Sequence, residues 1–332
     1  MRARYLVIPG LILAFVTAVL WVWPANQYIF VPDAAKPLAD RIHVEGSHVR
    51  GGGDVYFVDV FVRKASLLER LLPFTRPDGS TVVPAQDYLT PGTSQKETDR
   101  EFAEQMQRSQ LIAPAVALRA LGYHVKETGQ GAVVLGVFGN APAAGKLEDE
   151  DVIVAVDGRR VRSPEELRAA ISRHRPGDRV RLTVLRGGKT VHIVVGTIAD
   201  PGDSSRPIVG ISVDQAARIT LPVKIRIDLG SIGGPSAGLP FALEVMRLLG
   251  RDVTHGCKVA ATGELALDGQ VLPIGGAAQK AVGARRAGVD LFLVPAGENV
   301  AEARKNADGL RVIPVNSFQQ ALRKLATATK NC

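Results

Sequence analysis

Nineteen consecutive residues, Tyr5 to Trp23, carry no charge. As a helix rising ~1.5 Å per residue they span ~28 Å, close to the ~30 Å hydrocarbon thickness of a bilayer. Arg2 and Arg4 precede the run, Trp21 and Trp23 close it, and the next basic residue is Lys36. A basic flank ahead of an apolar run with aromatic residues at its end is the pattern of a single span with a cytoplasmic N-terminus. The run is long for the core of a signal peptide, and no A-x-A cleavage pattern follows it. The expectation is a transmembrane anchor over residues 1–24. The lipid bilayer then becomes a partner, and the chain is a single-pass cell-membrane protein with its bulk extracytoplasmic.

The rest of the chain reads as globular. Of 332 residues, 46% are apolar and 22% charged, which excludes wholesale disorder and leaves length for roughly two domains. Aromatic residues are only 5%, too few for the stacking platforms of single-strand nucleic-acid binding, so no nucleic-acid partner is expected. The net charge of +8 permits acidic partners without requiring them. Two cysteines, Cys257 and Cys332, cannot build a disulfide scaffold or a Cys-rich metal site. Cys257 reads as a small core residue and Cys332 as a terminal thiol, with a pairing of the two left open. His43 and His48 are isolated and read as structural. No metal and no cofactor is expected. Between Asp157 and Lys189, ten Lys or Arg face four Asp or Glu, which reads as a solvated basic face.

After a short connector, Arg41 to Val62 reads as strands turning at Gly51–Gly53. A helix capped by Thr93 or Ser94 is expected to run to about Leu121, kinked at Pro114. Residues 122–200 form a self-contained block. GAVVLGVFGNAPAAG is a strand and turn. DVIVAVDGRRV is two strands about a D-G turn. Ser163, Pro164 and Glu166 open a helix as a capping box. RVRLTVLRGGKTVHIVVG is a hairpin turning at Gly187–Gly188. This block is similar to a PDZ domain of the bacterial protease type. Such domains accept a partner's C-terminal strand. The candidate carboxylate-holding loop is Leu121–Gly122–Tyr123, followed by His124. The same Gly122 equally suits a helix C-cap.

From Pro207 onward, strands and helices alternate. LPVKIRIDLG, KVAATGEL, LFLVP and LRVIPV read as strands. PSAGLPFALEVMRLLG, AAQKAVGARRAG and NSFQQALRKLAT read as helices. Gly234-Pro235-Ser236-Ala237-Gly238 matches the letters of a nucleophile elbow. Only His255 follows Ser236, and the other five histidines lie upstream, the wrong chain order for such a triad. A serine still needs a base. Lys280 opens a helix of small residues, where apolar packing and the helix N-terminus both disfavour an ammonium.

GGPSAG, ATGEL, GQVLPIGGAAQKAVGARRAG and LFLVP, in this order, resemble the proteolytic domain of Lon-type Ser-Lys proteases. The resemblance covers about Pro207 to Leu325. It implies that Ser236 is the nucleophile, Lys280 the general base and Thr262 the residue positioning the amine. Gly233 stands where many Lon enzymes carry an acidic residue. No G-x-x-x-x-G-K-[ST] occurs in the chain, so no ATPase motor accompanies the domain.

The whole chain resembles membrane-anchored bacterial PDZ–Lon proteins. That likeness implies an α+β fold, with a PDZ-like module inserted in or preceding a Lon-type α/β domain. The expected domains are the anchor at 1–24, the front half of the proteolytic domain at 25–121, the PDZ domain at 122–200 and the Lon-type domain at 205–330. It further implies an ATP-independent serine endopeptidase, protein or peptide substrates, and a hexameric homo-oligomer. The alternative is a non-catalytic PDZ adaptor on a protease-like scaffold.

Overall fold

The computed structural model describes residues 4–49, 51–89 and 95–328. The proposed caps Thr93 and Ser94, and Cys332 of the open cysteine pairing, lie outside the described residues.

The apolar run is helical as α1 (Arg4–Val22). No helix among the described residues is long and apolar enough to cross a membrane. The helix cannot be extended at its C-terminal end. Trp23 leads straight into strand β1 (Pro24–Pro32), whose Ala25, Tyr28 and Ile29 are buried. The Trp23 carbonyl also accepts the Leu67 amide. The expected transmembrane helix, the single-pass placement and the bilayer contact are corrected accordingly: an uncharged run is not by itself a span.

The segment ahead of residue 122 continues with β2 (Ile42–Val44), β3 (Asp54–Phe57), β4 (Val60–Ser66), α2 (Leu67–Leu71), β5 (Thr81–Pro84) and α3 (Gln95–Ala120). Ser66 and Glu69 cap α2 reciprocally, side chain to backbone in both directions. α3 runs on through Pro114 as one element rather than ending there. Strand β1, expected only as connector, is the centre of an antiparallel sheet ordered β4-β1-β5.

The middle block supplies β6 (Lys126–Val137), β7 (Val152–Val156), α4 (Pro164–Ile171), β8 (Arg179–Arg186) and β9 (Lys189–Gly196). Ser163 caps α4 by accepting the Glu166 amide at 3.2 Å, while the Glu166 carboxylate takes the Arg162 amide at 2.9 Å. Gly187 and Gly188 both have positive φ, the primed turn that matches strand twist in a two-residue hairpin. The block extends past residue 200. Strand β10 (Ile211–Thr220) pairs antiparallel with nearly all of β6. The sheet order is β9-β8-β7-β6-β10. Val209 joins the block's core, with Ile211 and Val213 packed against it.

The last segment carries β11 (Ile225–Ile227), α5 (Gly238–Leu248), β12 (Lys258–Ala261), α6 (Ala277–Arg286), β13 (Leu291–Pro295), β14 (Arg311–Val315) and α7 (Phe318–Ala328). Its sheet is shared with the first segment. The order is Lys36–Pro37, then β3, β12, β13 and β14, with the last four parallel. β2 likewise pairs with β11. The main core mixes both segments: Leu38, Ile42, Phe57, Ile112 and Leu118 pack with Leu239, Phe241, Val259 and Phe318. Within it, Glu244 and Arg247 form a buried bidentate pair with both contacts at 2.8 Å. Burial still holds the Glu244 carboxyl above its ordinary pKa, against the pull of Arg247.

Candidate active site

Three elements bring Ser236, Thr262 and Lys280 together. Ser236 ends the loop Gly233–Pro235 and stands two residues before α5. Gly234 has φ +90, a left-handed conformation open to glycine. Gly238 lets α5 pack closely on the short strand Glu264–Leu265, since a Cβ there would come 2.9 Å from Leu265. Thr262 follows β12, and its amide bonds the Leu293 carbonyl of β13 at 3.0 Å. Lys280 lies in the first turns of α6, which Gly276 opens in a left-handed conformation.

Lys280 Nζ lies 2.8 Å from Ser236 Oγ and 3.2 Å from Thr262 Oγ1. The Thr262 hydroxyl donates to the Ser236 carbonyl at 3.2 Å, so its oxygen is left to accept an N–H from Lys280. That assignment leaves the amine lone pair for the Ser236 hydroxyl. The Gly263 amide also donates to the Ser236 carbonyl, at 2.8 Å. Lys280 and Thr262 are 4% and 1% exposed, so the amine cannot be solvated by bulk water. Burial pushes the Lys280 ammonium down to about 7, and only Asp59 pulls the other way. The site can therefore hold a substantial fraction of uncharged amine against a hydroxyl at neutral pH.

The sequence places the helix with EQMQRS (Glu104 to Ser109) in the front half of the proteolytic domain, but not the contacts α3 makes with the nucleophile loop. The Phe102 carbonyl accepts the Gly234 amide at 2.7 Å, and Ser109 Oγ donates to the Pro235 carbonyl at 2.9 Å. Arg108 bridges Asp214 of β10 at 2.7 Å and Glu264 at 3.6 Å. Burial raises the Glu264 carboxyl to about 7 despite Arg108, with Glu150, Asp214 and Asp149 adding to the rise.

His255 is exposed beside Asp252, and among the described residues no histidine bonds Ser236. Leu121, Gly122 and Tyr123 form the end of α3. Their amides donate to the carbonyls of Ala117, Arg119 and Leu118, and Gly122 has φ +87. These bonds are those of a helix cap.

A neutral amine against a serine hydroxyl in a dry pocket is the arrangement of a serine peptidase that uses an amine as its base. The comparisons agree with that class. Residues 119–197 match the PDZ domain, and residues 209–328 match the Lon protease (S16) C-terminal proteolytic domain. The chain thus contains a PDZ domain and a Lon-type serine-peptidase domain.

The Lon protease of Mesomycoplasma hyopneumoniae is 32% identical over 162 residues, covering 40% of this chain and 18% of that protein. That of Desulforamulus reducens is 37% identical over 118 residues, covering 35% and 13%. Lon protease 2 of Bacillus subtilis is 34% identical over 112 residues, covering 34% and 19%. The chain therefore spans less than a fifth of the length of these relatives. Among solved structures, the PDZ domain of an SdrC-like protein from Listeria innocua is 31% identical, covering 25% of this chain and 92% of that one, with a TM-score of 0.24.

Proposed function

We propose that this chain is an ATP-independent serine endopeptidase with a Ser236–Lys280 dyad, its PDZ domain docking protein or peptide substrates. The observation that carries the reading is the 2.8 Å contact between a buried amine and a hydroxyl. Ser236 Oγ attacks the scissile carbonyl carbon and its proton passes to neutral Lys280. The resulting ammonium returns the proton to the leaving amine as the C–N bond breaks. Water then hydrolyses the acyl-enzyme with Lys280 again as base. Thr262 orients the amine throughout. These steps need no nucleotide.

The base sets the pH dependence. With Lys280 at about 7, its neutral fraction falls tenfold per unit below that pH. kcat/KM is expected to rise with unit slope up to about pH 7 and then level off. A rate profile on a quenched-fluorescent casein peptide with its rising limb above pH 9 would refute the assignment. The same assay, with fluorophosphonate labelling of wild type and Ser236→Ala, separates a peptidase from a non-catalytic adaptor.

The proteolytic domain is assembled from both sides of the PDZ domain. The shared parallel sheet and mixed core support this. A fragment of residues 205–332 lacks β3 and α3, and is expected to show no cooperative thermal transition and no turnover. Full activity from that fragment would sink the split-domain reading.

A further inference from the structure

We propose that Ser109 is a positioning residue for the nucleophile, fixing the peptide plane from which Ser236 projects. The inference rests on the dyad reading and extends it to a helix contributed 126 residues earlier in the chain. Ser109 is only 3% exposed. A serine inside a helix ordinarily returns its hydroxyl to the carbonyl one turn back. Ser109 instead reaches out of α3 to the Pro235 carbonyl at 2.9 Å. The Gly238 amide takes the same oxygen at 3.2 Å, so the carbonyl is held from two directions.

The peptide unit joining Pro235 to Ser236 is planar and trans, so its C=O and N–H point in opposite directions. Holding the oxygen aims the Ser236 N–H. That N–H has no acceptor among the described residues, and neither has that of Ala237. They are the nucleophile's own amide and the next one along the chain, and Pro235 has none to offer. An amide aimed in advance at the developing oxyanion acts without reorganisation during the reaction. Phe102, two turns before Ser109 on the same face of α3, holds the Gly234 amide at 2.7 Å. The loop is therefore clamped on both sides of Pro235 by one rigid helix.

The test compares Ser109→Ala and Ser109→Thr with wild type in the full chain, using the quenched casein peptide and a fluorophosphonate. Ser109→Ala is expected to lower kcat about 10–100-fold with KM changed less than about twofold, and to slow labelling in parallel. The rising limb of the pH profile stays at about 7, because Lys280 is untouched. Ser109→Thr keeps the hydroxyl and recovers most of the loss. Three outcomes overturn the proposal: kcat unchanged in Ser109→Ala, a shifted limb, or a loss that follows a lowered melting temperature and that Thr does not restore. Ser236→Ala runs alongside. Turnover persisting in that variant removes the nucleophile assignment itself, a failure distinct from a null result at Ser109.

Discussion

Lys280→Met is expected to lower kcat/KM by roughly ten-thousandfold or more, the scale on which removing one member of a catalytic unit acts. Methionine fills similar space with a side chain that cannot take a proton. The same substitution should raise stability in acid. The folded pKa of Lys280, about 7, lies below its unfolded value near 10.4. Between those values the unfolded chain binds more protons, so stability climbs with pH across that window. Below pH 7 the full cost of burying the charge is present, and Lys280→Met removes it. Thermal unfolding at pH 6 should therefore show the variant melting higher than wild type. A variant that stays active, or melts lower at pH 6 than at pH 8 relative to wild type, would contradict the buried-base account.

Gly283→Ala should reverse the usual sign of a glycine-to-alanine change in a helix. Such changes ordinarily stabilise by about 1 kcal/mol. At Gly283 an added Cβ would come 1.9 Å from the Asp33 carbonyl oxygen, a backbone atom that cannot step aside. The Gly283 carbonyl also accepts the Ala35 amide at 3.2 Å. α6 must move away, and it carries Lys280. Overpacking of this kind costs about 1–3 kcal/mol, and displacing a catalytic group by about 1 Å can cost a hundredfold in rate. Urea unfolding should show a lower midpoint, and peptide cleavage a matching fall in kcat. Unchanged values of both would mean the close approach has slack.

The same contact explains what could be read from the chain alone and what could not. The strands with β-branched alternation, the Gly187–Gly188 hairpin and the Ser163 cap are local and were legible. So were the motifs holding Ser236, Thr262 and Lys280. The small-residue helix start already pointed to a weakened Lys280 base, whereas its near-complete burial is a property of the folded chain. Strand β10 hid because ISVDQAARIT mixes polar and apolar residues and finds its order only against β6. Strand β1 hid between prolines and pairs with partners more than a hairpin away. The apolar run misled in the other direction: it lacks charge, yet its chain turns into a sheet at Trp23. At Leu121–Gly122–Tyr123 the sequence allows a helix cap and a carboxylate loop together, and the amides bond carbonyls of the preceding helix.

The parallel pairing of β3 with β12 also sets a timetable for biosynthesis. Phe57 sits opposite Ala261, so a ribosome adding 5–20 residues per second leaves the first strand waiting about 10–40 s for its neighbour. The intervening PDZ domain can fold in that interval, whereas the hydroxyl and amine meet only near the end of translation. On the proposed function, a nascent or truncated chain therefore carries its PDZ domain before it has an assembled dyad, and cannot cut the proteins made beside it.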